Sequence, residues 1–240
     1  MPCSCCAFLD GAERQFTQKK AAAEIARYRQ KGPGPTTRLL RDGLVNAGSV
    51  EGTVLDIGGG VGALSFELFD RGATRAVIVD ASRAYLAAAS EESARRGRSA
   101  ATSVIPGDFV AMSDQLPSGD LVTLDRVVCC YPQYEPLLRK AMQHAVRRFA
   151  YSYPRDRWFI RFGALVENTV RRWRSNPFRT FVHPPAAMQR IVEGSGFTLA
   201  SRQRTLTWSA DVFVKASATP ISIAAETIPG FPDSQDVFRL

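Results

Sequence analysis

The chain has 240 residues, of which 45% are apolar and 22% charged, enough for one sizeable α/β domain with additional elements. It has no run of about 18 apolar residues, and its first residues lack a basic region followed by an apolar stretch, so we expect neither a transmembrane helix nor a signal peptide. The five cysteines do not form the spaced framework of a disulfide-rich protein, so a reducing cytoplasm is the expected location.

The net charge of +8 comes largely from one stretch. Residues 139–179 contain eleven basic residues against only Asp156 and Glu167, a local net charge of +9. Aromatic residues are interspersed through 155–181. This composition suits a flat acidic ligand, an anionic membrane surface or RNA. Core packing with a solvated basic exterior is the commonest explanation of such a pattern.

The chain opens with two predicted helices. The first covers residues 12–30 and ends at a run of glycines and prolines at 32–35. The second is short, with Thr36 or Thr37 as its N-cap. Because both precede the glycine-rich segment described below, we expect residues 1–48 to form an N-terminal helical cap.

Strands and helices alternate in the next predicted domain, residues 49–218. In chain order its predicted elements are strand 53–56, helix 64–72, strand 75–80, helix 82–97, strand 101–106, strand 120–128, helix 134–149, strand 150–153, helix 157–173, helix 186–193, and strands 197–204 and 206–216. Alternation indicates βαβ units and a mainly parallel sheet, and the short link between the last two strands requires antiparallel pairing. A C-terminal tail, residues 219–240, has three prolines and little periodicity, and is expected to be adaptable or disordered.

A glycine-rich segment, Asp56-x-Gly58-x-Gly60-x-Gly62, follows the first predicted strand and precedes a helix. Glycines in this position let the backbone approach a ligand closely. Gly58-x-Gly60-x-x-Ala63 also satisfies the dinucleotide fingerprint, so an NAD(P)-binding oxidoreductase is the first alternative. Asp56 weighs against it, because a carboxylate at the strand end would repel a pyrophosphate and would favour a cationic sulfonium cofactor.

Two further acidic residues lie at the ends of neighbouring predicted strands. Asp80 ends the second strand, where it is placed to accept hydrogen bonds from ribose hydroxyls. Asp108 follows the third strand, placed to accept from an adenine amino group, with Phe109 available for stacking. Together with the glycine segment, these acids favour a cofactor that contains a nucleoside.

This order of acids and glycines, followed by a strand that begins Asp120-Leu-Val, resembles the class I S-adenosylmethionine (SAM) dependent methyltransferases over residues 50–216. The resemblance implies a Rossmann-like, doubly wound α/β sheet of seven strands with an antiparallel final strand. It also implies SAM as the cofactor. The candidate cofactor-binding residues are Asp56 near the amino group, Gly58, Gly60 and Gly62 at the methionine and ribose, Asp80 at the ribose, Asp108 and Phe109 at the adenine, and Asp125 within the fourth predicted strand.

A second resemblance bears on the acceptor. Residues 125–133, together with Arg179-x-Phe181-x-His183, are similar to magnesium-protoporphyrin O-methyltransferases, whereas residues 27–33 do not match that family. The implied acceptor is a small molecule that is acidic or aromatic, methylated at a carboxylate or hydroxyl, such as a tetrapyrrole.

The catalytic candidates are His183 and Tyr131. Methyl transfer from a sulfonium is an in-line displacement in which positioning supplies at best roughly 7–11 kcal/mol. A carboxylate acceptor needs no base, but a hydroxyl, phenol or amine would, and His183 is the candidate base. Tyr131 is a candidate for ordering the methyl group or the acceptor, and His144 is expected to be structural. An RNA methyltransferase that uses residues 139–179, and a cofactor-binding scaffold without catalysis, remain alternatives.

The cysteines at positions 3, 5 and 6 give no metal site. Tetrahedral zinc takes four ligands, and no nearby histidine or fourth cysteine completes the set. Adjacent Cys129 and Cys130, at a predicted strand end, are expected to be small core-filling residues.

Overall fold

The structure is a computed structural model that describes residues 4–216, with side chains from residue 8 onward. Within these residues the helices are α1 (Ser4–Gln15), α2 (Gln18–Lys31), α3 (Pro35–Asn46), α4 (Ala63–Phe69), α5 (Arg83–Arg95), α6 (Phe109–Met112), α7 (Tyr134–His144), α8 (Trp158–Trp173) and α9 (Pro185–Glu193). The strands are β1 (Gly52–Ile57), β2 (Ala73–Asp80), β3 (Thr102–Pro106), β4 (Gly119–Leu124), β5 (Ala145–Pro154), β6 (Phe197–Arg204) and β7 (Trp208–Lys215).

The strands form one sheet in the order β3-β2-β1-β4-β5-β7-β6. The strands β3, β2, β1, β4 and β5 are parallel to one another, and β7 is antiparallel to both β5 and β6. The strand order reverses between β1 and β4. In open α/β sheets such a reversal leaves a crevice at the carboxyl ends of the strands, where ligands bind.

Helices cover both faces of the sheet, each over its own apolar core. Side chains of α2, α3, α4 and α5 pack on one face, around Leu40, Leu44 and Phe66. Side chains of α6, α7 and α9 pack on the other, around Leu138, Met188 and Phe213. The seven-stranded sheet with an antiparallel β7 confirms the predicted fold class.

Two of the N-terminal helices complete the layer on one face of the sheet. Helix α3 packs on β5 and β7, and the approach is close enough that a Cβ on Gly43 would lie 2.8 Å from Cγ2 of Val212. Helix α2 packs against α5. Helix α1 lies at the crevice, where Phe8 and Ala12 contribute to its wall, and α2 and α3 each add residues to the same wall, among them Arg27 and Thr37. The N-terminal segment therefore belongs partly to the sheet layers and partly to the ligand site.

A buried carboxylate ties α2 to α5. Glu92 is fully buried and accepts hydrogen bonds from the guanidinium groups of Arg29, Arg95 and Arg96. These hydrogen bonds, led by that of Arg95, lower the pKa of Glu92 to about 2 despite its burial. The cluster compensates a charge that would otherwise be costly to remove from water.

The N-terminal elements differ from the prediction in two ways. The helix expected over 12–30 is broken at Phe16 and Thr17, because the ring of Phe16 packs edge-on against Tyr85 and Phe178 instead of continuing the helix. The expected threonine cap of α3 is wrong. Gly34 is the N-cap and Pro35 the first helical residue, while the Thr37 hydroxyl donates to Asp125 Oδ2 at 2.6 Å.

Two other predicted boundaries are wrong around β4 and β5. The fourth strand ends at Leu124, and residues 128–130 form a 3₁₀ turn. The helix expected over 134–149 ends at His144, where β5 begins. Residues 145–149 continue a helical periodicity, but their hydrogen bonds to β4 on one side and β7 on the other draw them into the sheet. Tertiary pairing thus overrides the local pattern.

Some predictions fall outside this description. The predicted tail, residues 219–240, and Cys3 lie outside the described residues, as do the side chains of Cys5 and Cys6. Within residues 4–216, no helix is both long and apolar enough to cross a membrane.

Candidate active site

A cavity of ≈ 350 Å³ opens at the carboxyl ends of β1, β2 and β4, at the reversal in strand order. Its volume lies within the range of roughly 300–1,000 Å³ typical of small-molecule sites. The wall is formed by the loop after β1, the ends of β2 and β4, and parts of α1, α2 and α8. All eight cofactor-binding candidates except Gly62 contribute to this wall.

The loop between β1 and α4 depends on its glycines. Gly58, Gly60 and Gly62 have φ angles of +63°, +58° and +79°, in the left-handed region that other residues rarely adopt. A Cβ on Gly58 would lie 2.5 Å from Cγ2 of Val127, and one on Gly62 would lie 2.8 Å from Cε2 of Phe66. The loop therefore turns tightly over the sheet and leads directly into α4.

Asp56 lies beneath this loop. It is fully buried, and its two carboxylate oxygens accept from the hydroxyls of Thr123 at 2.7 Å and Ser65 at 2.8 Å. Burial raises the pKa of Asp56 to about 6, although both hydrogen bonds favour the charged form. The nearby carboxylates of Asp125 and Asp80 raise the pKa further. A Cβ on Gly59 would lie 2.7 Å from Asp56 Oδ2, so this carboxylate supports the loop from below.

Asp80 ends β2 beside the same loop. One oxygen accepts from the backbone N–H of Gly60 at 2.9 Å, and the other from that of Ser82 at 2.7 Å. Burial raises the pKa of Asp80 to about 6, against the two backbone hydrogen bonds, which lower it. Each carboxylate oxygen has a second lone pair. Asp80 is thus oriented by the backbone at the edge of the cavity.

Asp108 and its neighbours form the far wall. Asp108 caps α6 by accepting from the Val110 N–H at 2.9 Å, and the Tyr131 hydroxyl donates to it at 3.1 Å. Burial and this carboxylate raise the pKa of Tyr131 above its usual value. Phe109 is buried, with its ring edge-on to His144. Tyr131 is therefore a neutral hydroxyl held by Asp108.

Asp125 follows β4 and is held by two hydroxyl groups. Ser152 Oγ donates to Oδ1 at 2.7 Å, and Thr37 Oγ1 donates to Oδ2 at 2.6 Å. The next residue, Arg126, has a φ of +61°, an uncommon conformation for a residue with a side chain. Its guanidinium donates to Glu24 at 2.9 Å across the cavity wall. Strained residues of this kind concentrate at functional sites.

His183 does not line the cavity. Its Nε2 is 2.9 Å from the carbonyl oxygen of Tyr131, and its ring packs between those of Tyr134 and Phe181. Burial lowers its pKa. A general base must reach the proton that it removes, so the position of His183 behind Tyr131 gives no support to that role, which stays a prediction. His183 instead fixes the backbone of Tyr131. His144 is also outside the cavity, hydrogen-bonded to Ser113 and to the Pro117 carbonyl.

Several cavity residues were missed by the sequence analysis. Glu24 and Arg27 come from α2, and Glu167 and Arg171 come from α8. Glu167 and Arg171 form an ion pair at 2.8 Å, whereas Arg27 has no ion-pair partner among the described residues. None of these four belongs to a motif. Only the departure of residues 27–33 from the porphyrin enzymes drew attention to the segment that contains Arg27.

The cysteines near the cavity are Cys129 and Cys130. Both are free thiols at the cavity wall, and Cys129 is buried, as the core-filling interpretation expects. The hydrogen bond with Cys130 and burial raise the pKa of the Cys129 thiol well above its usual value. A thiol in this state is a poor nucleophile. Among the described side chains, no group of three or more His, Cys, Asp or Glu is arranged to hold a metal ion.

The basic stretch 139–179 does not form one surface. Arg147 and Arg148 begin β5 at the amino-terminal edge of the sheet, where Arg147 pairs with Asp120. Arg155 and the basic residues of α8 lie beyond its carboxyl-terminal end. The strand β5 separates the two groups, so the local charge of +9 does not become a continuous track for a nucleic-acid backbone.

Comparisons with known proteins agree with this architecture. Residues 54–150 match the family model described as a methyltransferase domain. A search of curated proteins finds no match.

Three solved structures share this fold, and each is named for, or was crystallised with, a different small molecule. Magnesium protoporphyrin IX methyltransferase from Synechocystis PCC 6803, with bound S-adenosylhomocysteine (SAH), has 18% sequence identity and a TM-score of 0.58, and the match covers 85% of this chain and 86% of that one. An O-methyltransferase family 2 protein from Planctomyces limnophilus, in complex with apigenin, has 16% identity and a TM-score of 0.60, and the match covers 83% of this chain and 62% of that one. A putative sarcosine dimethylglycine methyltransferase from Galdieria sulphuraria has 12% identity and a TM-score of 0.59, and the match covers 75% of this chain and 85% of that one. At these identities the likeness is one of fold.

Proposed function

We propose that this chain is a class I methyltransferase that uses SAM, and that its acceptor is a small, largely apolar molecule with an acidic group. One observation carries the assignment of the cofactor site. Three carboxylates, Asp56, Asp80 and Asp125, lie at the ends of neighbouring strands around a glycine loop. Such a concentration of negative charge favours a cationic cofactor over the pyrophosphate of NAD(P).

The residues present fit SAM. The loop at Gly58 and Gly60 leaves a cradle without side chains, in which backbone and ligand can approach closely. We propose that Asp80 accepts hydrogen bonds from the ribose hydroxyls, using the lone pairs left free by Gly60 and Ser82. Asp108, oriented by Tyr131, accepts from the adenine amino group. SAM, when bound, supplies an electrophilic methyl group on its sulfonium sulfur.

The chain itself acts mainly by positioning. Tyr131 is held by Asp108 through its hydroxyl and by His183 through its carbonyl, so its ring is fixed at the cavity wall. Rigid placement of the reacting groups is the main source of acceleration in a displacement of this kind. A carboxylate acceptor requires no proton to be removed, which agrees with the position of His183 outside the cavity.

The proposed acceptor end is the part of the cavity lined by α1, α2 and the segment that follows α8. Phe8, Phe16 and Phe178 supply apolar surface there. Arg27 supplies a positive charge that no described carboxylate neutralises. Aromatic rings provide contact area for a flat molecule, and a guanidinium pairs well with a carboxylate. A carboxylated tetrapyrrole, the type of acceptor named for one neighbour, has this chemistry.

Titration calorimetry with SAM, SAH and NAD(P) tests the cofactor assignment. We expect SAM and SAH to bind, and Asp80→Asn to weaken SAH by about 10- to 100-fold, because hydrogen bonds to a charged group contribute about 1.5–3 kcal/mol. Asp120→Asn is the matched control. Asp120 also accepts a backbone N–H, from Thr53 at 2.8 Å, but at the opposite edge of the sheet. Tighter binding of NAD(P) than of SAM, or equal SAH affinity for both variants, would contradict the assignment.

A further inference from the structure

Helix α8 lies on the surface with its apolar face towards solvent. None of its 16 residues is buried. The residues that contact the rest of the protein are partly buried and recur at helical spacing: Ile160, Ala164, Asn168 and Arg171. A surface helix of a globular protein normally turns its apolar stripe towards the core. In α8 this arrangement is reversed.

The outward face of α8 carries most of the exposed apolar surface of the described residues. Among the described residues, ten large hydrophobic side chains are exposed, and seven of them belong to this helix, with exposed fractions from 37% to 82%. They are Trp158, Phe159, Phe162, Leu165, Val166, Val170 and Trp173. Large contiguous apolar patches on a protein surface mark interaction sites, and seven exposed apolar side chains on one helix form such a patch.

Arginine residues border this face. Arg161 and Arg172 are eleven residues apart, which places them three turns apart along the same edge of the helix. Arg157 and Arg174 flank its two ends. The acidic residue within the helix, Glu167, pairs with Arg171 on the side that faces the cavity. Asp156, two residues before the helix, pairs with Arg161, whereas the other bordering arginines have no ion-pair partner among the described residues.

We propose that the outward face of α8 binds the interface of an anionic lipid membrane, with the helix lying in the plane of that interface. Apolar and aromatic side chains would enter the boundary between headgroups and acyl chains, and the bordering arginines would contact anionic headgroups. The two tryptophans, 79% and 82% exposed, lie at the ends of the helix, where amphipathic rings suit the headgroup level.

Charge complementarity selects lipid over other occupants. A second copy of the chain would bring its own arginine-bordered helix against this one, and like charges would meet across the interface. RNA would satisfy the arginines and stack on the aromatic rings, but it offers no partner for the exposed aliphatic side chains of Leu165, Val166 and Val170. An anionic bilayer supplies both the apolar phase and the negative charge.

The position of α8 connects this surface with the cavity. Glu167 and Arg171, on the opposite side of the helix, line the cavity wall. Membrane binding through α8 would therefore hold the cavity at the lipid surface, where an apolar acceptor concentrates. This last step rests on the proposed function, whereas membrane binding itself does not.

The test uses the full chain with vesicles of phosphatidylcholine, alone or mixed with phosphatidylglycerol. Two of the three tryptophans lie on α8 and are exposed, so tryptophan emission should shift to shorter wavelength when mixed vesicles are added. Co-sedimentation should show stronger binding to mixed vesicles, and binding should weaken as salt is raised.

Two pairs of substitutions separate the apolar and electrostatic contributions. Phe162→Ser with Leu165→Ser should lower vesicle binding about 100-fold, because two large apolar side chains no longer enter the interface. Arg161→Gln with Arg172→Gln should lower binding to mixed vesicles roughly tenfold. The controls are Leu206→Ser, an apolar residue 75% exposed outside α8, and Arg139→Gln with Arg204→Gln, which should change binding little.

Several outcomes would overturn the proposal. Equal vesicle binding by wild type and the Phe162→Ser/Leu165→Ser variant would remove α8 from the interaction. A dimer that forms without lipid and is lost in that variant would identify a second copy as the occupant. Tryptophan emission already at short wavelength in buffer would mean that another segment, such as residues 217–240, covers the face. Binding to an RNA oligonucleotide but not to vesicles would identify RNA. Affinity for SAH, measured in each variant, shows that the chain is folded and keeps these outcomes separate from a failure of the proposed function.

Discussion

Replacing Gly58 with alanine, compared with the same change at Gly97, separates the two reasons for a glycine in the β1–α4 loop. Both residues have nearly the same backbone conformation, with φ of +63° and +65°. Their surroundings differ. A Cβ on Gly58 would lie 2.5 Å from Val127 Cγ2, whereas a Cβ on Gly97 would meet nothing within 4 Å. The pair therefore shares the backbone cost of alanine, and only Gly58 adds a steric conflict.

The expected magnitudes follow from these contacts. A left-handed conformation costs an alanine roughly 1–2 kcal/mol, which Gly97→Ala should lose in free energy of unfolding. Gly58→Ala should lose about 1–3 kcal/mol more, the usual cost of forcing an extra methyl group into a packed site. For a chain of this length, each kcal/mol corresponds to roughly 2–4 °C in Tm. Because Val127 is packed against the loop, we expect the conflict to displace the loop, so SAH affinity should fall at least about tenfold in Gly58→Ala and stay unchanged in Gly97→Ala.

Urea unfolding and calorimetric titration with SAH measure both effects, and a double-mutant cycle with Val127→Ala identifies the contact. Removing the valine methyl groups should recover most of the extra cost of Gly58→Ala, with a coupling energy of about 1–3 kcal/mol. Equal losses of stability in Gly58→Ala and Gly97→Ala, with the same SAH affinity in both, would show that contact with Val127 does not constrain the loop.

Three further predictions concern charge. Burial raises the pKa of Asp56 and Asp80 to about 6, above the usual carboxyl range, so their contribution to the free energy of unfolding falls as pH rises from about 4 to about 6. As the two carboxyl groups ionise across pH 6, the preference for cationic SAM over SAH, whose sulfur is neutral, should increase. A ratio of SAM to SAH affinity that does not change with pH would contradict this. Arg95, Arg96 and Arg29 lower the pKa of Glu92 to about 2, so its contribution to the free energy of unfolding is present above about pH 4.5 and is lost as pH falls towards 2. Glu92→Gln should reduce the free energy of unfolding, measured in urea at pH 7, by about 2–3 kcal/mol, because the arginines are partly exposed and their charges are screened by solvent. SAH binding should be unchanged in this variant. Arg27→Gln should lower kcat/KM for carboxylated acceptors about tenfold, as measured by transfer of a radiolabelled methyl group, while SAH affinity stays constant; an equal loss for uncharged acceptors would show that Arg27 does not recognise the carboxylate.

The sequence by itself determined the fold class and the neighbourhood of the cofactor. Alternating strands and helices require a parallel sheet, and in such a sheet the ends of β1, β2 and β4 meet at one edge. Asp56 and Asp80 were identifiable because each is the last residue of a predicted strand, whereas Asp125 was placed inside the predicted strand 120–128. The glycine spacing was readable because only glycine adopts the φ angles of positions 58, 60 and 62 at little cost.

The boundaries and the acceptor end depended on packing between distant segments. Residues 145–149 have a helical pattern, but pairing with β4 and β7 makes them a strand. Glu24 and Arg27 line the cavity only because α2 packs against α5, a contact for which the sequence carries no local signal. The position of His183 also depended on packing. It has suitable chemistry for a base, but it does not line the cavity, and its Nε2 lies 2.9 Å from the carbonyl oxygen of Tyr131.

Helix α8 illustrates the same division. Its periodicity was sufficient to predict residues 157–173 as a helix, because the spacing of apolar residues is a local property. Periodicity alone assigns the apolar stripe to the core. Only the tertiary structure shows that Ile160, Ala164 and Asn168 contact the protein and that the stripe faces solvent, because the direction of a helix face is set by what packs against it.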